Sequence, residues 1–260
     1  MLGERSEDRA CLGLIRKWLR AGILDTTGAI LHPVTGTPQG GVVSPVLANV
    51  YLHYVLDLWF EQVNKPQCRG EACLLRYADA YICALEYPEE AERCYAALGP
   101  RLEKCGLTLA AEKTRIRSFS RQQPPGQGSV EFLGFELCWG QDRGGKAHLK
   151  RRTARPKLRA SLQRFTQWCQ ENRQRRLSVL VKQLNSKLRG YYQYYGVHGN
   201  SASLQQFFEG ALRILLKWLN RRSQRHSDNW QGFKAILEHF KIARPRIVGH
   251  SKRRKATALA

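Results

Sequence analysis

An acidic residue, Asp79, stands between two largely apolar runs of the chain, residues 73–77 and 80–85. Runs of this kind on either side of a short break predict a β-hairpin with the acid at its tip. A carboxylate there could hold a hard cation such as Mg²⁺. Transfer of a nucleotide needs two such ions, which two or three carboxylates normally hold. One carboxylate cannot hold both, so Asp79 is either part of an incomplete metal site or an ordinary turn residue.

Charge is distributed unevenly along the chain, which has 43 Lys and Arg against 21 Asp and Glu, a formal net charge of +22. The first 120 residues carry equal numbers of acids and bases, so the whole excess lies in residues 121–260. The second part is therefore expected to face a polyanion. Nucleic acid is favoured, because cations that neutralise phosphates release condensed counterions.

Aromatic residues accompany the cations of the second part. Residues 150–159 contain six Lys or Arg side chains, and four tyrosines lie at residues 191–195. This combination suits phosphate contacts together with base stacking, although at least half of the tyrosines are expected in the core of a helical bundle. The predicted RNA-binding cations are Arg151, Arg152, Arg155, Lys157, Arg159, Lys187, Arg189, Arg221 and Arg222.

Composition argues against two other classes of site. A membrane partner is not expected, because there is no run of about 18 apolar residues and no signal peptide after Met1. Zinc is not expected, because the eight Cys residues form no C-x-x-C pair and the His residues are scattered. Several Cys lie inside apolar runs, which is typical of reduced thiols in a cytoplasmic protein.

Elements of both kinds are predicted to position these residues. Apolar periodicity predicts helices near residues 11–21, 44–60 and 88–105, and strands at residues 107–116 and 130–139. Beyond residue 150 the pattern predicts helices alone, at residues 155–172, 177–194, 203–222 and 229–240. Residues 122–128 are expected to form a linker, and the basic residues 252–255 lie in a tail that is expected to be poorly ordered.

Five sequence blocks resemble the reverse transcriptases that group II introns encode. The hairpin, RYADA at residues 76–80, resembles the Tyr-Ala-Asp-Asp hairpin of that family. The other blocks are TPQGGVVSPVLANVYL at residues 37–52, LTLAAEKTRI at 107–116, EFLGF at 131–135 and LNSKLRGY at 184–191. The last resembles the thumb, or maturase X, region. Five blocks in the right order, covering almost the whole chain, make the resemblance to an intron-encoded reverse transcriptase and maturase specific.

The resemblance implies roles for single residues. Asp79 would be the catalytic and metal-binding acid, with Mg²⁺ as cofactor. Nucleotide and template would be contacted by Gln39, Gly40, Gly41, Tyr77, Ala78 and Lys113. The segment that grips the primer end would be Phe132, Leu133 and Gly134. From the residues alone, the glycines could form an ordinary turn, the lysine could be a solvated charge and the aromatic residues could belong to the core.

The chain departs from the family pattern at its metal ligands. Ala80 stands where the family has the second hairpin acid. We expect no counterpart of the upstream metal-binding Asp, because the acids before residue 30 lie in no strand-like apolar run, and we expect the fingers region to be missing as well. A lone solvated carboxylate binds Mg²⁺ weakly. The resemblance implies that this chain is the C-terminal part of such a protein. We therefore expect it to bind Mg²⁺ weakly or not at all and not to polymerise DNA.

The expected fold class is α+β. Residues 1–150 would form an incomplete reverse-transcriptase palm around an antiparallel hairpin, residues 151–245 an all-helical thumb that binds RNA, and residues 246–260 a basic tail. The favoured function is maturase-like binding of structured RNA and RNA/DNA duplex without polymerisation. One alternative is an active polymerase completed by a separately encoded fingers and palm fragment. The other is a decayed remnant without function.

Overall fold

The computed structural model describes residues 3, 7–20, 23–24, 30–31, 42–121, 128–141, 144–222 and 229–248. The chain divides into two compact units, Met1–Ser118 and Phe119–Ala260. Most of the predicted linker and the whole of the basic stretch at residues 252–255 lie outside the described residues. The assignment of residues 1–150 to a palm, 151–245 to a thumb and 246–260 to a tail stays a prediction.

Helix α1, Arg9–Arg20, begins the first unit. Asp8 caps it, because its carboxylate accepts hydrogen bonds from the backbone N–H groups of Ala10 at 2.9 Å and Cys11 at 3.0 Å. These N–H groups have no partner within the helix itself, so a side-chain acceptor stabilises the first turn. The helix predicted near residues 11–21 is confirmed and starts two residues earlier.

The hairpin predicted around Asp79 is present in the first unit. The other elements of the unit are strands β1 (Ile23–Leu24) and β2 (Ile30–Leu31), helix α2 (Ser44–Leu52), strands β3 (Ala72–Tyr77) and β4 (Ala80–Leu85), and helix α3 (Pro88–Glu103). β1 pairs antiparallel with β2, and β3 pairs antiparallel with β4. After α2 the chain continues through π-helical turns at His53–Asp57 and Phe60–Asn64, so the long helix predicted from residue 44 is interrupted but present.

A small apolar core holds the hairpin on its neighbours. Its buried members are Val55 and Leu56 from the first π-helical turn and Leu98 and Leu102 from α3. Leu74 of β3 packs against them, while the side chains of β3 alternate between a half-buried and an exposed face. Each fully buried aliphatic side chain contributes about 1.5–3 kcal/mol, so this cluster fixes the hairpin on α3.

The strand predicted at residues 107–116 is wrong. The segment contains a turn in which the backbone N–H groups of Lys113 and Thr114 both donate to the carbonyl oxygen of Ala110 at 3.0 Å. The hydroxyl of Thr114 donates to the same oxygen at 3.0 Å. Because these bonds are local, the segment pairs with no strand in the described part of the chain.

A three-stranded antiparallel sheet opens the second unit. Its strands are β5 (Val130–Phe132), β6 (Phe135–Gln141) and β7 (Ala147–Thr153), in that order across the sheet. The single strand predicted at residues 130–139 is therefore two strands with a tight turn between them. The prediction of helices alone after residue 150 is wrong for the end of β7, whose basic sequence carries little apolar alternation. Antiparallel pairing with β6 holds β7 in place, and in this register Glu136 lies opposite Arg152.

Four helices complete the described part of the second unit. They are α4 (Arg155–Asn172), α5 (Leu177–Tyr195), α6 (Ser201–Leu219) and α7 (Trp230–His239). All four were predicted, with ends that agree within three residues. They bury one large apolar cluster, in which Leu184, Leu188 and Tyr192 of α5 are each 1% exposed. This cluster is the main core of the unit, so the helices rest on packing as well as on intrinsic propensity.

Helices and small antiparallel sheets together give a mixed α+β architecture, as expected. Across the described residues, no helix is both long enough and apolar enough to cross a membrane. Recognition of a palm and a thumb in this architecture stays a prediction.

Candidate nucleic-acid interface

Asp79 lies at the tip of the β3–β4 hairpin, in a turn closed by the pairing of Tyr77 with Ala80. Ala78, the first residue of the turn, has φ of 53°. Two-residue turns that match the twist of a hairpin need a positive φ at this position, which costs a residue other than glycine about 1–2 kcal/mol. Tyr77, Ala78 and Asp79 are all exposed. The turn therefore presents the carboxylate to solvent, as predicted.

Arg76 positions this turn. Its guanidinium binds both carboxylate oxygens of Asp57, from Nε at 2.6 Å and from Nη2 at 2.7 Å. Nη1 donates to the side-chain oxygen of Asn49 at 2.8 Å and to the carbonyl oxygen of Ala78 at 2.9 Å. One side chain thus joins the turn that carries Asp79 to the helical segment before it.

The ion pair changes the titration of both partners. The hydrogen bonds from Arg76 hold the pKa of the Asp57 carboxyl below its ordinary value of 3.8, against the opposing effect of burial. The same bonds raise the pKa of the Arg76 guanidinium. Sequence reasoning missed this pair. An arginine on the inward face of β3, in register with Leu74, was the signal that an acidic partner had to lie nearby.

The donor set near Asp79 does not fit a two-metal site. In the ranges that the structure describes, no group of three or more His, Cys, Asp or Glu side chains could hold a metal ion. The neighbouring residue Ala80 offers no side-chain oxygen, and Asp57 is engaged by Arg76.

Four further predicted contacts of nucleotide and template lie apart from the hairpin turn in sequence. Lys113 is exposed at the end of the local turn that replaces the predicted strand. Gln39, Gly40 and Gly41 lie outside the described residues. Their roles stay predictions.

The predicted primer-grip residues form the tight turn between β5 and β6. Leu133 has φ of 49° and Gly134 has φ of 78°. The Tyr194 hydroxyl donates to the carbonyl oxygen of Leu133 at 2.9 Å. A Cβ on Gly134 would lie 3.0 Å from the Tyr195 hydroxyl oxygen. The end of α5 therefore holds the turn, with Phe132 entering it from β5.

The structure brings this turn next to the start of α4, where three of the predicted RNA-binding cations, Arg155, Lys157 and Arg159, lie. The backbone N–H of Ala154, just before α4, donates to the carbonyl oxygen of Gly134 at 3.0 Å. The Cγ atom of Lys157 lies 3.8 Å from where a Cβ of Gly134 would be. Two groups of residues that were predicted separately thus form one surface, the turn and the start of α4.

Most of the predicted RNA-binding cations are exposed. Those with exposed side chains are Arg151, Arg155, Lys157, Arg159, Lys187, Arg189 and Arg221. Lys187 lies over the ring of Trp168, with its Nζ 5.2 Å from the ring centroid. Arg152 is half-buried and forms an ion pair with Glu136 at 3.5 Å. Arg222 is also partly buried, and burial lowers the pKa of its guanidinium.

The four tyrosines at the end of α5 divide between core and surface. Tyr192 is 1% exposed. Tyr191 stacks on Phe207 with ring centroids 3.6 Å apart, and burial raises the pKa of its hydroxyl to about 12. Tyr194 is 55% exposed, with its ring parallel to that of Phe135. The expectation that at least half belong to the core is confirmed, and Tyr194 offers an aromatic face beside the basic surface.

Comparison with known families adds two matches. Residues 5–137 match the family described as reverse transcriptase (RNA-dependent DNA polymerase). Residues 158–235 match the family described as group II intron, maturase-specific domain. The two matches follow each other along the chain in the order predicted from the five blocks.

Individual relatives are similar over shorter stretches. An uncharacterized 91 kDa protein in a cob intron of Schizosaccharomyces pombe is 44% identical over 64 residues, 25% of this chain and 8% of the relative. The putative COX1/OXI3 intron 1 protein of Saccharomyces cerevisiae is 41% identical over 64 residues, 25% of this chain and 8% of the relative. The group II intron-encoded protein LtrA of Lactococcus lactis is 40% identical over 62 residues, 22% of this chain and 10% of the relative. The matched stretches thus span a tenth or less of the relatives' own length.

Proposed function

The chain belongs to the reverse transcriptase family, in the group II intron branch that carries a maturase-specific domain, and we propose that it binds structured RNA without polymerising DNA by itself. The proposed partners are intron-like RNA and RNA/DNA duplex, and the proposed location is the cytoplasm. The proposed contact surface is the start of α4 together with the turn at Leu133 and Gly134.

The observation that carries the proposal is the placement of cations at the start of α4. Arg155, Lys157 and Arg159 lie in its first two turns, and the first turn contains no acid. The N-terminus of a helix carries a partial positive charge, so cations there destabilise the free helix. The same charge favours an anion, and phosphates commonly bind helix N-termini. The presence of these cations at an unfavourable position supports a role in binding phosphates.

Aromatic surface beside these cations supports single-stranded or looped RNA as the ligand. Tyr194 is exposed next to Leu133 and stacks on Phe135. Unpaired bases can stack on such rings, and each stacked base contributes about 1–3 kcal/mol. Phosphate contacts and stacking together would allow the surface to hold a structured RNA with unpaired nucleotides.

The loss of polymerisation is proposed from the hairpin. Asp79 is a single exposed carboxylate beside Ala80, and two Mg²⁺ ions need more ligands than one carboxylate offers. Asp57, which lies near the hairpin, is bound on both oxygens by Arg76.

Fluorescence anisotropy with the whole chain tests RNA binding. The probe is a fluorescein-labelled RNA hairpin with a single-stranded 3′ tail, titrated between about 50 and 300 mM salt. We expect the triple variant Arg155→Gln, Lys157→Gln and Arg159→Gln to lower the salt slope by about 2 to 3. The matched control is Arg213→Gln, Lys234→Gln and Lys241→Gln, which removes the same charge from α6 and the neighbourhood of α7. Equal losses in both triples would overturn the assignment of the surface.

Primer extension on an RNA template with Mg²⁺ tests the second half of the proposal. No extended product is expected from the chain alone. Product formation at a rate above that of an Asp79→Asn control would overturn it.

A second candidate, an active polymerase completed by a separately encoded fragment, is favoured by exposed apolar surface in the first unit. Leu75 and Tyr77 on the outer face of β3 are 56% and 66% exposed, and Trp18 of α1 is 42% exposed. Apolar patches of this kind commonly mark protein interfaces. Mixing the chain with a fingers and palm fragment that carries the upstream Asp should then give Mg²⁺-dependent extension. Absence of product from the mixture removes this candidate.

A further inference from the structure

Four arginines lie close to the end of α6, and two of them, Arg173 and Arg221, contact the ring of Trp218. Arg221 and Arg222 directly follow α6, while Arg173 and Arg175 lie in the connection between α4 and α5. The guanidinium carbons of Arg173 and Arg221 lie 5.6 Å and 5.3 Å from the centroid of the Trp218 ring. Nη2 of Arg222 donates to the carbonyl oxygen of Arg175 at 3.0 Å. We call Arg173, Arg175, Arg221 and Arg222 the arginine cluster.

Among the described residues, no carboxylate balances the charge of the arginine cluster. Throughout the described ranges, none of its four guanidiniums forms an ion pair with Asp or Glu. Glu171, the acid nearest in sequence, accepts a hydrogen bond from the side chain of Gln167 at 3.0 Å instead. Cations in contact with one ring repel each other, so the cluster is incomplete without an anion.

Arg222 is the member of the arginine cluster with a buried donor, its Nε, that lacks a hydrogen-bond acceptor among the described residues. Burial also lowers the pKa of the guanidinium, since no carboxylate opposes the cost of desolvation. A buried donor on a charged group that lacks an acceptor is unfavourable. An anion bound at the cluster would supply acceptors.

A purely structural explanation covers only part of the cluster. Cations at the C-terminus of a helix are favoured by its dipole, and guanidiniums stack on tryptophan. These effects account for Arg221 and for the stacking of Arg173 on the Trp218 ring. They do not account for the buried Nε of Arg222, which has no acceptor among the described residues.

We propose that the arginine cluster is a phosphate-binding site, which deepens the proposed function by giving the bound RNA a second phosphate contact apart from the start of α4. The planar, forked guanidinium matches the oxygens of a phosphate, and its face can remain on an aromatic ring meanwhile. The phosphate belongs either to an RNA backbone or to a free inorganic ion. The chemistry of recognition is the same for both.

Two measurements on the whole chain separate these sources. The first is the salt dependence of binding to the labelled RNA hairpin. The second is the melting temperature in sodium phosphate against sodium chloride of equal ionic strength. The test variant is Arg173→Gln with Arg221→Gln, and the matched control is Arg213→Gln with Lys234→Gln. Arg222→Lys is a further variant, because it keeps the charge while removing the Nε donor.

We expect the test variant to lower the RNA salt slope by about 1, as for one lost phosphate contact, while the control leaves it unchanged. Arg222→Lys should weaken RNA binding about fivefold. If the slope is unchanged but phosphate raises the melting temperature of the unaltered chain and not of the test variant, the ligand is a free phosphate. If the test variant keeps both the salt slope of RNA binding and the rise of the melting temperature in phosphate, the proposed site is refuted. The melting arm remains decisive even if the unaltered chain binds no RNA, which would refute the proposed function alone.

Discussion

The Arg76 guanidinium donates hydrogen bonds to both carboxylate oxygens of Asp57, from Nε at 2.6 Å and from Nη2 at 2.7 Å. The two residues lie 19 positions apart in the chain. The same guanidinium reaches the carbonyl oxygen of Ala78 at the tip of the hairpin. The orientation of the turn that carries Asp79 thus depends on a pair of charges below it.

Removal of the acid from the pair should destabilise the first unit. Asp57→Asn leaves the Arg76 guanidinium, whose side chain is 12% exposed, without its counter-charge. We expect a loss of about 2 to 3 kcal/mol in the free energy of unfolding, measured by urea denaturation followed by circular dichroism. Lys65→Gln is the control, since Lys65 and Glu61 form an exposed pair four residues apart, whose loss should cost less than about 0.5 kcal/mol. Equal effects would show that the half-buried pair of Arg76 and Asp57 stabilises no more than an exposed pair does.

The contribution of the pair should disappear in acid. The folded pKa of Asp57 lies below the ordinary value of 3.8, so the unfolded chain takes up the proton first as the pH falls. The extra stability is therefore present above pH 3.8 and is lost as the pH falls through the folded pKa. His53, whose Nδ1 lies 3.3 Å from Asp57, is the other titratable neighbour. The difference between the unaltered chain and Asp57→Asn should shrink from pH 6 to pH 3 in urea denaturation, and a constant difference would contradict the assignment.

Asn200 should be essential for the junction of the sheet and the helices in the second unit. It is 1% exposed. Its side chain accepts from the N–H of Thr153 at 2.8 Å and donates to the Thr153 hydroxyl at 2.9 Å and the Tyr195 carbonyl at 2.8 Å. Because Asn200→Ala leaves buried groups unpaired, we expect a loss of about 2 to 3 kcal/mol in thermal or urea unfolding. Gln193→Ala, on the exposed side of α5, should change stability by less than about 0.5 kcal/mol.

The primer-grip turn should tolerate no Cβ at Gly134. Gly134→Ala combines an unfavourable positive φ with a contact of 3.0 Å to the Tyr195 hydroxyl. Gly145 is a matched control, because its φ is +77° against +78° for Gly134, while a Cβ there meets nothing within 4 Å. Gly145→Ala should cost about 1 kcal/mol, and Gly134→Ala measurably more in the same melt. Equal costs would mean that Tyr195 moves aside and does not hold the turn.

Local pattern was sufficient for some elements and not for others. The ends of the helices of the second unit were predicted to within three residues, because the apolar spacing of an amphipathic helix is visible within one segment. The hairpin at Asp79 was also predicted from local pattern, since two apolar runs flank the acid. Strand β7 was missed, since its basic residues carry little alternation, and pairing with β6 makes it a strand. The segment at residues 107–116 was wrongly predicted to be a strand, since its apolar residues fit a strand as well as the local turn that forms.

The sequence by itself determined the family, the α+β class, the exposed place of Asp79 and the location of the positive charge. Each of these depends on residue types and on short-range order. Only the tertiary structure decided that Arg76 pairs with Asp57, that the turn at Gly134 lies against the start of α4, and that Arg173 and Arg221 share the ring of Trp218. Arg76 and Asp57, Ala154 and Gly134, and Arg173 and Trp218 lie about 20 to 45 positions apart, and composition cannot choose among the many possible partners. The choice is made when burial removes water from charged and polar groups, which then require specific partners.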